Sequence, residues 1–126
     1  MRRVQLTEPV KKALKPALWG NAKKAVFAEI ESGKAGVFVT HNNQLLTVLR
    51  LEGREMVVVA AVGQNLRANR QELINFALAN HAMTLRWHTK APQHLQKGVA
   101  GLPVQLAEVR KRALGPDEYV YKLQVA

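Results

Sequence analysis

Three groups of residues in this 126-residue chain carry polar chemistry at spacings that suggest a site. The turn Gly63-Gln64-Asn65 follows an apolar β-forming run, Met56-Val57-Val58-Val59-Ala60-Ala61-Val62. It leads into an amphipathic stretch that reads as helix from about Asn69 to His81. A strand, a tight turn and a helix together aim the helix's first N–H groups at an anion, most often a phosphate. Arg67 and Arg70 add positive charge beside that turn. His88 ends a second β-rich run, Met83 to His88, where it reads either as a hydrogen-bonded histidine closing a strand or as a neutral imidazole able to serve as a base. Two basic clusters, Lys11-Lys12-Lys15 and Arg110-Lys111-Arg112, suit phosphates or an acidic protein surface, and Lys23-Lys24 forms a smaller third.

Other chemistries lack material. There is no cysteine, so disulfides, thiolate catalysis and cysteine metal sites are out. His41, His81, His88 and His94 have no metal-ligand spacing and no clustered carboxylates beside them. Ser32 is the only serine and Asp117 the only aspartate, which leaves no hydrolase triad. A Walker pattern is absent. Aromatic residues are 6% of the chain and none interleaves with the basic runs to stack bases; Trp19 and Trp87 read as core. Electrostatic attachment to nucleic acid survives; base-specific readout does not.

The net charge is +10. Residues 1–34 hold eight Lys/Arg against three Glu, residues 67–126 nine against four, and residues 35–66 two against two. Basic surface therefore belongs to the flanks and not to the central strands. No apolar run approaches the roughly 20 residues that span a bilayer, and no secretory leader is visible, so a cytoplasmic protein without membrane contact is expected.

The elements that must position these residues read as one α/β (α+β) domain over 1–126. Arg2 to Leu6 suggests a strand. Thr7 and Pro9 start a helix through Val10, Leu14 and Leu18 that Pro16 kinks or ends. Trp19-Gly20-Asn21 reads as a break and new cap, and a second helix runs to Ser32-Gly33-Lys34. Strands follow over Gly36–Thr40, Gln44–Leu51 and Glu55–Val62, the last apolar on both faces, as befits a central strand. After the helix to His81 and the strand to His88, a helix from Ala91 to Gly101 and strands over Val104–Ala113 and Tyr119–Val125 complete the chain.

The resulting order, β-α-α-β-β-β-α-β-α-β-β, resembles the GNAT superfamily of N-acetyltransferases: a mixed, mostly antiparallel sheet flanked by about four helices. The Val-rich strand, the helix and the ending Arg86-Trp87-His88-Thr89 also resemble small GNAT-like proteins of phages and prophages. The resemblance implies that the fourth and fifth strands splay and that acetyl-CoA slots between them. It places the pyrophosphate on a Gln/Arg-x-x-Gly-x-Gly/Ala turn, where glycine lets phosphate oxygens reach backbone N–H groups. In this chain the aligned residues are Gln64-Asn65-Leu66-Arg67-Ala68-Asn69, so Arg67 and Asn69 stand at the small positions. The family's catalytic glutamate is missing too. Glu55 lies at the wrong end of its strand, Val57 to Val62 contains no acid, and no tyrosine occurs from Ala91 to Gly101. Tyr119 and Tyr121 read as packing or edge residues, which leaves His88 as the surviving polar group.

The expectation from sequence is a catalytically degenerate GNAT-like binding or accessory protein with no favoured cofactor, its basic surface meeting an acidic protein. One alternative is an active acetyltransferase. It would hold acetyl-CoA through Val62, Gly63, Gln64, Asn65, Arg67, Ala68, Asn69 and Arg70. Another is a nucleic-acid accessory factor using Lys11, Lys12, Lys15, Arg110, Lys111 and Arg112. An exposed sheet edge also leaves room for a homodimer.

Overall fold

The computed structural model describes residues 1–18, 20 and 22–126. The helix break expected at Trp19 and Asn21 lies outside the described residues. The elements are β1 (Arg2–Val4), α1 (Glu8–Leu14), a 3-10 turn (Lys15–Ala17), α2 (Ala22–Glu31), β2 (Ala35–Val39), β3 (Leu45–Glu52) and β4 (Glu55–Gly63). They continue with α3 (Leu66–Ala79), β5 (Thr84–Thr89), a second 3-10 turn (Pro92–His94), α4 (Gln96–Val99), β6 (Gln105–Arg110) and β7 (Glu118–Gln124). The described strands form one seven-stranded sheet in the order β1-β2-β3-β4-β5-β7-β6. Every pair is antiparallel except β4–β5.

Strand alternation sends side chains to two cores. Val37, Val48 and Ala60 pack under α1 and α2 with Leu14 and Val26. Leu49, Met56, Leu85 and Leu123 pack under α3 with Leu73 and Ala77. Each fully buried Leu or Val contributes about 1.5–3 kcal/mol, so both faces of β4 are tied into the fold. Thr7 Oγ1 accepts from the Val10 N–H at 3.5 Å and starts α1, while Pro16 converts its end into the 3-10 turn.

Several boundaries differ from the sequence reading, and β1 already ends at Val4 rather than Leu6. The third helix begins at Leu66, not near Asn69, because Asn65 takes the left-handed conformation (φ 57°) and turns the chain directly into α3. It ends at Ala79: the Asn80 side chain donates to Phe76 O at 2.8 Å, and His81 follows at φ 64°, outside the helix. The helix expected over Ala91–Gly101 is instead two short pieces. The strand β6 stops at Arg110, because Lys111 and Arg112 turn toward Asp117 and Glu118. Among the described residues no helix is long and apolar enough to cross a membrane.

Candidate active site: the gap between β4 and β5

The parallel ladder of β4 and β5 runs from Glu55↔Thr84 to Val58↔Trp87 and stops there, although both strands continue. The cause lies on the other side of β4. Its pairing with β3 steps from Leu49↔Val58 to Val48↔Ala60, so Val59 is an inserted, unmatched residue. A bulge of this kind bends and twists its strand. Beyond Val59, β4 follows β3 and leaves β5, which stays paired with β7 as far as Thr89↔Tyr119.

The gap opens a cavity of about 390 Å³. Val58, Val59, Ala60 and Ala61 line it from β4, and Leu85, Trp87, His88 and Thr89 from β5. Pro16 and Ala17 close it on the α1 face; Leu66, Arg70, Leu73 and Ile74 close it on the α3 face. The cavity thus threads the sheet. Its walls are mostly apolar, and the edge of β4 facing it has no ladder partner after Val58. Unpaired backbone groups in such surroundings favour a ligand with amide-like groups of its own.

The turn at the end of β4 is tightly specified. Gly63 has φ 137°, and a Cβ there would sit 2.0 Å from Gln44 O. The Gln64 N–H donates to the same Gln44 O at 3.0 Å. The first intrahelical bond of α3 is Asn69 N–H to Asn65 O, so the N–H groups of Leu66, Arg67 and Ala68 precede any acceptor within the helix. The Arg67 side chain is exposed. Arg70 is drawn elsewhere, donating to Gly98 O at 3.1 Å and Ala100 O at 2.6 Å, and so ties α3 to α4. Val62 packs into the α1–α2 core.

Asn69, one of the two residues standing at the small positions of this turn, is tied into a hydrogen-bond network. It is buried, accepts from Asn42 Nδ2 at 2.8 Å, and donates to Gln44 Oε1 at 3.0 Å and Asn65 O at 2.9 Å. Its side chain braces the β2–β3 turn against the first turn of α3. Only exposed Arg67 and Ala68 flank the free donors.

His88 lies on the sheet face that carries α1 and α2. Its Nδ1 is 2.6 Å from Glu118 Oε1. The hydrogen bond to His88 holds the Glu118 carboxyl below its ordinary value; burial opposes this, and Arg112 and Arg110 reinforce it. An ionised carboxylate only accepts, so Nδ1 donates to it; in the neutral ring that tautomer leaves Nε2 as the acceptor nitrogen, on a ring that lines the cavity. Glu118 was invisible as a site residue because thirty positions separate it from His88; the β5–β7 pairing brings them together. His94, exposed on the second 3-10 turn, also lines the cavity. No cluster among the described residues is suited to a metal ion.

No protein-family model matches this sequence, and no curated protein matches it. Solved structures do. The ribosomal-protein-S18-alanine N-acetyltransferase of Escherichia coli superposes with TM-score 0.67 over 99% of this chain and 92% of its own, at 12% identity. Aminoglycoside 6'-acetyltransferase type Ii gives TM-score 0.63 over 99% and 96%, at 13% identity. A protein assigned to the GNAT acetyltransferase family from Desulfovibrio desulfuricans gives 0.64 over 99% and 98%, at 16% identity. The chain has a GNAT-like fold.

In the GNAT-like frame the parted strands are the fourth and fifth, as the sequence resemblance implied. Glu55 lies at their closed end. Burial raises its carboxyl, but the Thr84 hydroxyl, Lys122 and Arg86 together outweigh burial and hold it below its ordinary value. Tyr121 stacks on Trp87 with ring centroids 6.1 Å apart, a packing role. The basic clusters divide. Arg110 meets Glu108 at 3.3 Å, Lys111 meets Asp117 at 3.0 Å and Arg112 meets Glu118 at 2.9 Å. The densest basic run is therefore largely engaged within the chain. Lys11 is shared between Glu8 and Glu31, whereas Lys12 and Lys15 are exposed.

Proposed function

We propose that this protein binds an acyl-CoA thioester in the gap between β4 and β5 and transfers its acyl group to an amine, with His88 taking the amine's proton. One observation carries the reading: the cavity passes through the sheet at the bulge and has a phosphate-compatible turn on one strand's end and an oriented imidazole on the other's. A pantetheine arm supplies amides to the open edge of β4. The N–H groups of Leu66, Arg67 and Ala68, with the Arg67 guanidinium, would face a diphosphate. Acetyltransferase activity is what the superposed structures' names describe, and it is extended to this chain here.

Calorimetry with acetyl-CoA and with CoA tests the binding step: micromolar affinity for the thioester is expected, and its absence overturns the reading. Replacing His88 by Gln should lower turnover by about a hundredfold or more, the usual contribution of a positioned base, with acetyl-CoA affinity unchanged. A second reading keeps the thioester and loses the chemistry. It is favoured by the lining itself, in which Arg70, His88 and His94 are the only titratable side chains among the described residues, with no carboxylate and no tyrosine. That reading gives binding without acyl transfer to any amine.

A further inference from the structure

We infer that the acceptor in this site is the α-amine of an acidic peptide, which enters from the α1 side of the sheet past Lys12 and Lys15. The inference rests on the acyl-transfer reading of the cavity and adds the chemistry of the second substrate. It begins from what the cavity lacks. No carboxylate lines it among the described residues, so nothing inside holds an ammonium ion. The amine must arrive neutral. A lysine side chain titrates near 10.4 and an α-amine near 7.7–8.0 in model peptides, so the α-amine loses its proton close to neutral pH without a strong base.

The rim selects the rest of the molecule. On the α1 face the cavity is bounded by Pro16 and Ala17 of the first 3-10 turn and by His88 of β5. Lys15 belongs to that same 3-10 turn, and Lys12 lies one helical turn before Pro16. Both are exposed. Lys23 and Lys24, at the start of α2, are exposed too. The acids nearby are fewer than the cations and each has a cation within reach, Glu8 and Glu31 sharing one. Glu8 and Glu31 meet Lys11, at 3.5 and 4.0 Å, and Glu29 is held by Arg50 at 2.9 Å and Lys34 at 3.6 Å. Glu118 is held by His88, Arg112 and Arg110. The surface around the mouth is therefore cationic with its carboxylates engaged, which repels polyamines and basic peptides and attracts an acidic chain. A strip with charges on α1 and the 3-10 turn suits several successive carboxylates better than a single one.

The chemistry balances. The neutral amine's lone pair forms the C–N bond at the thioester carbonyl and the C–S bond breaks. The proton released from nitrogen passes to His88 Nε2 and ends on the departing CoA sulfur. The products are an N-acylated peptide and free CoA thiol.

The test uses the full chain and two peptides with free α-amines and C-terminal fluorophores, one rich in glutamate after its first residue and one with lysine at the same positions. Fluorescence anisotropy reads peptide binding directly, and calorimetry reads acetyl-CoA separately. The acidic peptide should bind at least about tenfold more tightly than its basic twin, with affinity falling as salt rises. A Lys12→Glu/Lys15→Glu variant should lose at least about tenfold in acidic-peptide affinity while acetyl-CoA affinity stays within about twofold. Equal binding of the two peptides, or an unchanged affinity in the variant, overturns the inference. So does duplex DNA that displaces the acidic peptide and binds more tightly than it, which would assign the strip to nucleic acid. Discrimination between the peptides without any acetyl-CoA binding would sink the acyl-transfer reading and leave the acidic-peptide surface standing.

Discussion

The two ends of the β4–β5 pair are built from opposite materials. At the closed end, Glu55 accepts from Thr84 Oγ1 at 2.8 Å and from Arg86 at 2.7 Å, and meets Lys122 at 3.2 Å. Arg86 reaches on to Glu52 at 2.6 Å, and Arg50 links Glu52 to Glu29. That ion network crosses β3, β4, β5 and β7 and clamps them. At the open end, beyond the Val58↔Trp87 pair, β4 carries only Val and Ala up to Gly63 while β5 carries His88, held by Glu118, and Thr89; one bulged residue, Val59, pulls β4 away. Stability and ligand space are therefore separated along a single pair of strands. The clamp holds the sheet together, so the far end is free to part.

The strongest way to break this contrast is Gly63→Ala at the open end. The added Cβ meets Gln44 O at 2.0 Å on a backbone already at φ 137°. A loss of about 3 kcal/mol is expected in urea unfolding, from strain plus the displaced β3–β4 turn. A loss below about 1 kcal/mol, little more than an ordinary surface substitution costs, would mean that the turn is plastic.

Next comes the clamp. Glu55→Gln removes the charge that Arg86 and Lys122 share and should cost about 2 kcal/mol. Acetyl-CoA affinity should survive at temperatures where the variant is folded; its loss would show that the two ends are coupled. The pH dependence has a definite sign. Glu55 and Glu118 both have carboxyls lowered from 4.5, so their stabilisation is complete above that value and fades as pH falls through the folded-state titration. The native melting temperature should drop steeply in the acid range below 4.5, and Glu55→Gln should flatten that drop.

Much of this contrast was legible in the residues. The element order and the two-sided apolar strand follow from periodicity and turn chemistry, and the position of Glu55 away from the splayed end follows from the family resemblance. Pro16 read correctly for local reasons. What failed was non-local. The hydrogen bonds of Asn69 were hidden because a sequence alignment gives its place along the chain and not its direction; its partners, Asn42 and Gln44, come from another hairpin. The start of α3 was missed because Asn65 caps it by backbone conformation with no side-chain cap bond to signal it. The Arg110-Lys111-Arg112 run looked like a free basic patch, yet the β6–β7 pairing brings Asp117 and Glu118 against it. The bulge at Val59 has no residue signature in a run of near-identical Val and Ala, and only the register with β3 shows it.

The smallest expected effect is also the most discriminating at the open end. Arg67 occupies a position where GNAT-like sequences place glycine, and two accounts of it make opposite predictions. If a bulky side chain crowds the diphosphate, Arg67→Gly should tighten acetyl-CoA binding. The geometry favours the other account. Arg67 is exposed on the first turn of α3, its N–H is one of the three donors ahead of the first intrahelical bond, and its charge adds to the positive helix end. Removing that charge should weaken binding by about two- to fivefold, the range that corresponds to 0.3–1 kcal/mol at a helix terminus. Arg67→Ala should weaken it equally, since both variants lose the same guanidinium and keep the same N–H. Glycine binding more tightly than alanine would reinstate the steric account and make this turn the point at which the scaffold loses its grip on the cofactor. Equal weakening in both variants would mean that charge has taken over what glycine does elsewhere, with the donors still in place.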